Sequence, residues 1–209
     1  FLPGKIVVVC GYGWVGKGVA ARARGMGAIV TVTEVDPVRA LEAKMDGFEV
    51  MRLLDAAPAG DIFVTCTGQT GVVRKEHFAK MKDGAMLANA GHFDVEIDAD
   101  YLYGSRRPEK VRPNVERFNV NGKKLFLLSE GRVVNLVAAE GHPPEVMALS
   151  FANQLLSILH VAKNHSRMKP VVHGVPEKID SDVAKYALDA MGVRIDAMTK
   201  EQRHYRDSS

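Results

Sequence analysis

The stretch KIVVVCGYGWVGKGVAARARGMGAIVTVTEVDP, from Lys5 to Pro37, sets Gly11, Gly13 and Gly16 in a G-x-G-x-x-G spacing. Each glycine has its own task in that pattern. Gly11 permits a tight turn, Gly13 lets the backbone approach a pyrophosphate, and Gly16 lets a helix pack closely on a strand. Free N–H groups and the dipole at the start of the following helix favour an anion there. Glu34 closes the next apolar run, roughly 20 residues on, where a carboxylate accepts hydrogen bonds from a ribose 2′-hydroxyl. The same carboxylate repels a 2′-phosphate, so NAD is expected over NADP. Arg39 complicates this, because a cation just past the acid would tolerate a phosphate; it is expected along the adenine side. A glycine turn used for packing alone would not require the strand, helix and terminal acid that surround this one.

Two further stretches end apolar runs in small polar residues. VTCTGQTG places Thr67 and Gly68 where they could approach a nicotinamide ribose, and LANAGHFDVEID ends a run in Asn89, Gly91 and His92. Open α/β sheets bind ligands at the carboxyl ends of their strands. A lone histidine is more often structural than functional, but His92 stands at such an end, beside the presumed cofactor.

The elements that must position these residues alternate along the first two-thirds of the chain. Lys5–Cys10, Ala28–Thr33, Asp61–Thr65 and Ala85–Asn89 read as strands, apolar on consecutive positions and so buried on both faces of a parallel sheet. Helices are predicted over Val15–Met26, Pro37–Asp46 and Lys75–Met81. This alternation predicts the α/β class, a Rossmann-type doubly wound parallel sheet with right-handed crossovers. VERFNV-NG-KKLFLL, joined by Asn121-Gly122, predicts an antiparallel edge hairpin. A long helix is expected over about Val146–Lys163, then the connector KPVVHGVPEK, a helix near Ser181–Ala190, and a polar, frayed tail, TKEQRHYRDSS.

Composition narrows the function classes. A net charge of +3, with basic residues scattered, argues against nucleic acid or an anionic membrane as partner. The densest basic cluster, GSRRPEK, reads as a solvated loop. Cys10 and Cys66 read as buried free thiols of a reducing compartment, not a disulfide or a metal pair, and no metal site is expected. No uninterrupted apolar run reaches membrane-span length and no secretory signal is visible, so a cytoplasmic location is expected. Phe1-Leu2-Pro3-Gly4 leads straight into a strand without an initiator Met, which suggests a cut chain, an omitted segment or a processed product.

GYGWVGKG, VTEVDP, NAGHFDVEID and LLSEGRVVNLVAAEGHPPEVMALSFANQ together resemble S-adenosyl-L-homocysteine hydrolases, most closely the thermophilic and archaeal branch. The resemblance runs from Gly4 to about Tyr205, and its later motifs are far more specific than the glycine pattern. It implies an NAD-binding domain over 1–144. A helical segment over 145–192 would return to complete a substrate domain, and a tail covers 193–209. Gly11, Gly13, Trp14, Val15, Gly16, Lys17 and Gly18 would lie at the pyrophosphate, and Glu34 at the adenosine ribose with Arg39 nearby. Cys66, Thr67 and Gly68 would line the nicotinamide side, Ala90, Gly91 and His92 the cleft, and Asn135 the carboxamide. His92, the one catalytic candidate, matches with Phe93 a pair that gates substrate entry. His142, Met147 and Phe151 match positions around the bound nucleoside, His142 also counting among the cofactor contacts.

The chemistry so implied is hydrolysis of a nucleoside thioether without net redox. Oxidising the ribose 3′-hydroxyl acidifies the neighbouring C4′–H, homocysteine leaves by elimination, water adds, and the same cofactor reduces the ketone. Such a cofactor must be retained and shielded from water. The partners implied are a small nucleoside thioether and further copies of the chain in a homotetramer. Three departures stand out. The family's catalytic Lys, Asp and acid–base His cannot be placed on this sequence; after HYRDSS the Lys/Tyr-bearing tail of many members does not follow, as expected of the tail-less members; and Trp14 and Arg39 replace the Asp and Asn common in many members. The competing readings are a noncatalytic NAD-binding module, an S-inosylhomocysteine hydrolase and, lowest, a 2-hydroxyacid dehydrogenase.

Overall fold

A computed structural model describes residues 1–104 and 107–208. Ser105 and Arg106 of the GSRRPEK cluster, and the last residue of the tail, lie outside the described residues. The chain divides into two compact units, Phe1–Gly141 and His142–Ser209.

The first unit is an eight-stranded sheet in the order β3-β2-β1-β4-β5-β8-β7-β6. The strands are β1 (Ile6–Cys10), β2 (Ile29–Thr33), β3 (Glu49–Val50), β4 (Ile62–Thr65), β5 (Met86–Asn89), β6 (Glu109–Arg112), β7 (Val115–Val120) and β8 (Lys123–Leu128). Strands β3 to β8 in that order pair in parallel, and β8-β7-β6 pair antiparallel. The unit's helices are α1 (Trp14–Gly25), α2 (Pro37–Met45), α3 (Leu53–Ala56), α4 (Lys75–Lys80), α5 (Ala99–Tyr103) and α6 (Val134–Val137). The α/β architecture is as the sequence predicts.

Burial explains why the strands read as continuous apolar runs. Alternate residues of β1 feed two separate cores: Val8 and Cys10 pack with Phe63, Phe78 and Leu87, while Val7 and Val9 pack with Ala20, Ala23 and Val32. Helix α2 starts as its sequence dictates, with Pro37 in the first turn and the Asp36 carboxylate accepting from the N–H groups of Val38 and Arg39. Asn121 and Gly122 both take positive φ, 52° and 80°, the backbone a type I′ hairpin turn demands. The short elements β3, α3, α5, β6 and α6 escape the sequence pattern because two to five residues carry no readable period.

The second unit holds α7 (Pro144–Asn164), α8 (Glu177–Ala190) and α9 (Lys200–Ser208). Helix α8 begins earlier than the sequence suggests, directly after Pro176. The tail expected to fray is instead helical at α9. A reciprocal cap explains it: Thr199 Oγ1 accepts from Gln202 N, and Gln202 Oε1 accepts from Thr199 N. Pro144–Arg167 is long and apolar enough to cross a membrane by length and composition, with mean hydropathy 1.3, and none of it is buried within the unit. One such helix makes no membrane assignment.

Candidate cofactor-binding site

The parallel sheet reverses direction of winding between β1 and β4, and a cleft of about 600 Å³ opens at their carboxyl ends. Doubly wound sheets bind ligands at this switch point. The cleft brings together six residues singled out from the sequence: Gly11, Gly13, Glu34, Arg39, Cys66 and Thr67.

Gly11 follows β1 with φ +100°, and a Cβ there would come within 2.9 Å of Thr67 Cγ2 and 3.0 Å of the Cys66 carbonyl oxygen. Gly16 is tighter still: its Cβ would lie 2.0 Å from the Gly11 carbonyl oxygen, inside the backbone of the turn itself. Gly13 differs. A Cβ there would meet only Arg39 Nη1, at 3.7 Å, so the protein leaves this space open above the turn. Gly13 is also the N-cap of α1, no side chain caps that helix, and its first turn contains no acid. The first N–H groups of α1 are therefore left without a side-chain acceptor. A bare, uncapped turn with an open cradle fits the pyrophosphate of a dinucleotide.

The Glu34 carboxylate is fixed by the backbone. Its Oε2 accepts from Tyr12 N at 2.7 Å, and its Oε1 from Val35 N at 2.7 Å and Asp36 N at 3.1 Å. A carboxylate offers about four acceptor sites, so room remains for a ribose hydroxyl. Tyr12 anchors the same turn from below: its hydroxyl donates to Asp46 Oδ2 at 2.7 Å, and its ring packs edge-on against Phe48. Burial, then the Asp46 hydrogen bond, pushes the Tyr12 hydroxyl up to about 12.

Cys10 and Cys66 are free and buried, as expected. Burial pushes both thiols up to about 12. Among the described residues no cluster of His, Cys, Asp and Glu could hold a metal ion.

The opposite wall is built around two buried polar side chains. Asn89, at the end of β5, accepts from Gly91 N at 2.8 Å and from the Thr65 hydroxyl at 3.2 Å. It donates to the carbonyls of Phe93 and Gly131, the latter at 3.0 Å. Glu96 is fully buried and accepts from Thr67 N, Thr67 Oγ1, Gly68 N and His92 N, at 2.7–2.9 Å. Between them, these two residues hold the backbone of the Gly91–Phe93 turn. The His92 and Phe93 rings lie edge to face with centroids 4.0 Å apart, and Phe93 takes φ 39°. Ala90 N donates to the Thr65 carbonyl, continuing the β4–β5 ladder to this turn.

Other residues named from the sequence lie elsewhere. Trp14, Val15 and Gly18 line an apolar groove between α1 and the sheet, with Val7 of β1 and Ile62 and Val64 of β4. Lys17 pairs with Glu42 at 2.8 Å and lies over the Tyr12 and Trp14 rings. Asn135 sits on α6, half-buried, its carbonyl accepting from Gly141 N. His142, Met147 and Phe151 belong to the second unit, where Met147 and Phe151 share one face of α7. Sequence reasoning missed Glu96, and it missed Arg52, Arg74 and His77 as cleft-lining residues. Arg52 and Arg74 are paired with Asp55 and Glu76, whereas no ion pair among the described residues involves Arg39. No local pattern separates Glu96 from the exposed Asp94 two residues before it.

Residues 1–141, the whole first unit, match the family model described as S-adenosyl-L-homocysteine hydrolase, NAD binding domain. The chain belongs to this family. It is 55% identical to the adenosylhomocysteinase of Sulfurisphaera tokodaii over 98% of its own length and 50% of that protein. It is also 55% identical to the adenosylhomocysteinase of Archaeoglobus fulgidus, over 98% of this chain and 51% of that one. The S-inosyl-L-homocysteine hydrolase of Methanocaldococcus jannaschii is 53% identical, over 98% and 49%. The chain thus spans about half the length of the curated relatives it matches. The family's NAD-binding domain covers the whole of the cleft described above, the open turn over Gly13 and the backbone-held Glu34 included.

Proposed function

We propose that the chain is the cofactor-binding portion of an enzyme that hydrolyses S-adenosylhomocysteine to adenosine and homocysteine, working with a substrate-binding portion of the kind its longer relatives contain. The observation that carries this reading is the open cradle over Gly13 beside the backbone-pinned Glu34. Gly11, Gly13 and the first N–H groups of α1 would hold the pyrophosphate, Glu34 the adenosine ribose, and Arg39, in no ion pair among the described residues, the phosphate charge. Cys66, Thr67 and Gly68 would line the nicotinamide half. Bound NAD supplies the hydride acceptor, and later the donor, for the substrate's 3′-carbon.

His92 and Phe93, on the exposed turn held by Asn89 and Glu96, would face the substrate and govern its entry; Asn135 would orient the carboxamide. In the second unit, His142, Met147 and Phe151 would contact the nucleoside, and the helices over 145–192 would complete the substrate domain. A four-copy assembly is in keeping with the apolar residues left exposed on α7, Phe151 and Ile158 among them. The two free, buried thiols suit a cytoplasmic location.

Calorimetry on the purified chain tests the cofactor reading. NAD should bind and NADP much more weakly. Glu34→Ala should weaken NAD by about tenfold or more, the loss of hydrogen bonds to a charged acceptor. A folded chain that does not bind NAD would sink the assignment. The similarity to an S-inosyl-L-homocysteine hydrolase supports a second reading. Supplying a substrate-binding half and following hydrolysis of both thioethers separates the two, and no turnover of either would favour a noncatalytic NAD-binding module.

A further inference from the structure

Glu96 is buried to 0% exposure, yet none of the ion pairs among the described residues involves it. Its carboxylate faces donors only. Thr67 N and Thr67 Oγ1 donate to Oε2, each at 2.9 Å, and Gly68 N and His92 N donate to Oε1 at 2.7 and 2.8 Å. The Thr67 hydroxyl already accepts from Gln69 N at 3.0 Å, so its own proton is directed at Glu96. Gly91 lies directly against the group, since a Cβ there would fall 1.8 Å from Glu96 Oε1. The backbone on either side is fixed as well, with Val72 N and Val73 N donating to the Glu96 carbonyl and Val73 bridging Ile97.

Four N–H and O–H dipoles thus surround a buried carboxylate that is in no ion pair among the described residues. Such an arrangement keeps its field, because water and salt do not reach the group to screen it. The group stands directly behind the cleft wall, because Thr67, which lines the cleft, donates to it through both N and Oγ1. Cys10 and Cys66 both line the cleft; burial is the main cause of their raised thiol values, and the Glu96 charge adds to it. A negative charge on Glu96 opposes a thiolate at Cys10 or Cys66. It must equally favour a positive charge placed there.

The geometry points to Glu96 as the residue that sets the redox preference of the cofactor site. Its carboxylate, held by donors and by no ion pair among the described residues, lies under the Thr67–Gly68 loop and favours NAD+, whose nicotinamide ring is cationic, over NADH, whose ring is neutral. This rests on the reading that the loop after β4 receives the nicotinamide half. The device suits a reaction that begins with oxidation of substrate and ends with the cofactor restored. A site preferring NADH would rest in the form unable to start a cycle.

The test is a pair of titrations on the 209-residue chain, NAD+ by calorimetry and NADH by its fluorescence. The wild-type chain should bind NAD+ more tightly than NADH. Glu96→Gln, matched in shape but neutral, should move the affinity ratio toward NADH by about tenfold, the size of a modest charge–charge term. Glu96→Asp, which keeps the charge, should leave the ratio near wild type. A purely structural role would weaken both forms together, and an unchanged ratio in Glu96→Gln would overturn the inference. Should that variant not fold, the wild-type ratio decides: equal affinities, or tighter NADH, overturn it. If the folded chain binds neither form, the NAD reading itself fails, and this inference falls with it.

Discussion

The two walls of the cleft are ordered by opposite means. On the β1 wall, Gly11, Gly13 and Gly16 work by having no side chain, and Glu34 is held by three backbone N–H groups. On the β5 wall, order comes from buried polar side chains, Asn89 and Glu96, each gathering groups from segments separated in sequence. The first arrangement is local and fits a ligand portion that only has to be gripped. The second is non-local. It joins the loop after β4 to the His92 turn, so the two cannot be set independently.

The sharpest way to break this contrast is Gly16→Ala. Its Cβ would meet the Gly11 carbonyl oxygen at 2.0 Å, and backbone cannot step aside as a side chain can. A loss on the order of 3–4 kcal/mol and of NAD binding is expected, read by urea unfolding and calorimetry. A stable, NAD-binding variant would show that the turn does not depend on a bare helix start.

Asn89→Ala tests the other wall. It leaves the Thr65 hydroxyl, Gly91 N and the Gly131 carbonyl without their partner, at an expected cost of about 2–3 kcal/mol in chemical denaturation. A cost no larger than that of an exposed substitution would mean the β5 wall is not held by its polar side chains.

Alkaline pH probes the seam where the walls meet, at Cys10 and Cys66. Their thiols rise from 9.0 to about 12 in the folded chain, so the folded state keeps protons that the unfolded state has begun to release. The stability they contribute is full below about pH 9 and is lost as pH rises toward 12, by up to about 1.4 kcal/mol per pH unit for each group. Unfolding midpoints should fall over that window, and less steeply when both cysteines are replaced by alanine. Equal slopes would exclude the thiols as the cause.

The smallest effect belongs to Ser129, just beyond β8. Its Oγ is buried with no hydrogen-bond partner among the described residues, two positions before the Gly131 carbonyl that Asn89 engages. Ser129→Ala keeps the backbone and removes an unsatisfied hydroxyl, so a gain of about 1 kcal/mol is expected in thermal or urea unfolding. A loss instead would mean that the hydroxyl contributes to holding this end of the sheet.

Much of the fold and one wall of the site were legible in the sequence. β1, α1, β2, α2, β4, β5 and the β7–β8 hairpin follow from apolar runs, from Pro37 behind Asp36, and from Asn121-Gly122. Each of these signals acts within a few residues. The same holds for Gly11, Gly13, Gly16 and Glu34. The cap of α9 was equally local, in Thr199 and Gln202, yet the polarity of the tail concealed it.

What the sequence determined by itself is therefore the class of sheet, the glycine turn and the position of Glu34 at the end of β2, because backbone sterics and short-range capping are written in neighbouring residues. Only the tertiary structure decided that Glu96, and not Asp94, is buried, and that it accepts from Thr67, Gly68 and His92 at once. Only the fold, likewise, turned the Trp14 and Val15 side chains away from the cleft while leaving Arg39 beside Gly13. The reason is physical: a buried carboxylate is tolerated only where folding assembles enough donors around it, and three of the four here come from Thr67 and Gly68, in a loop distant along the chain.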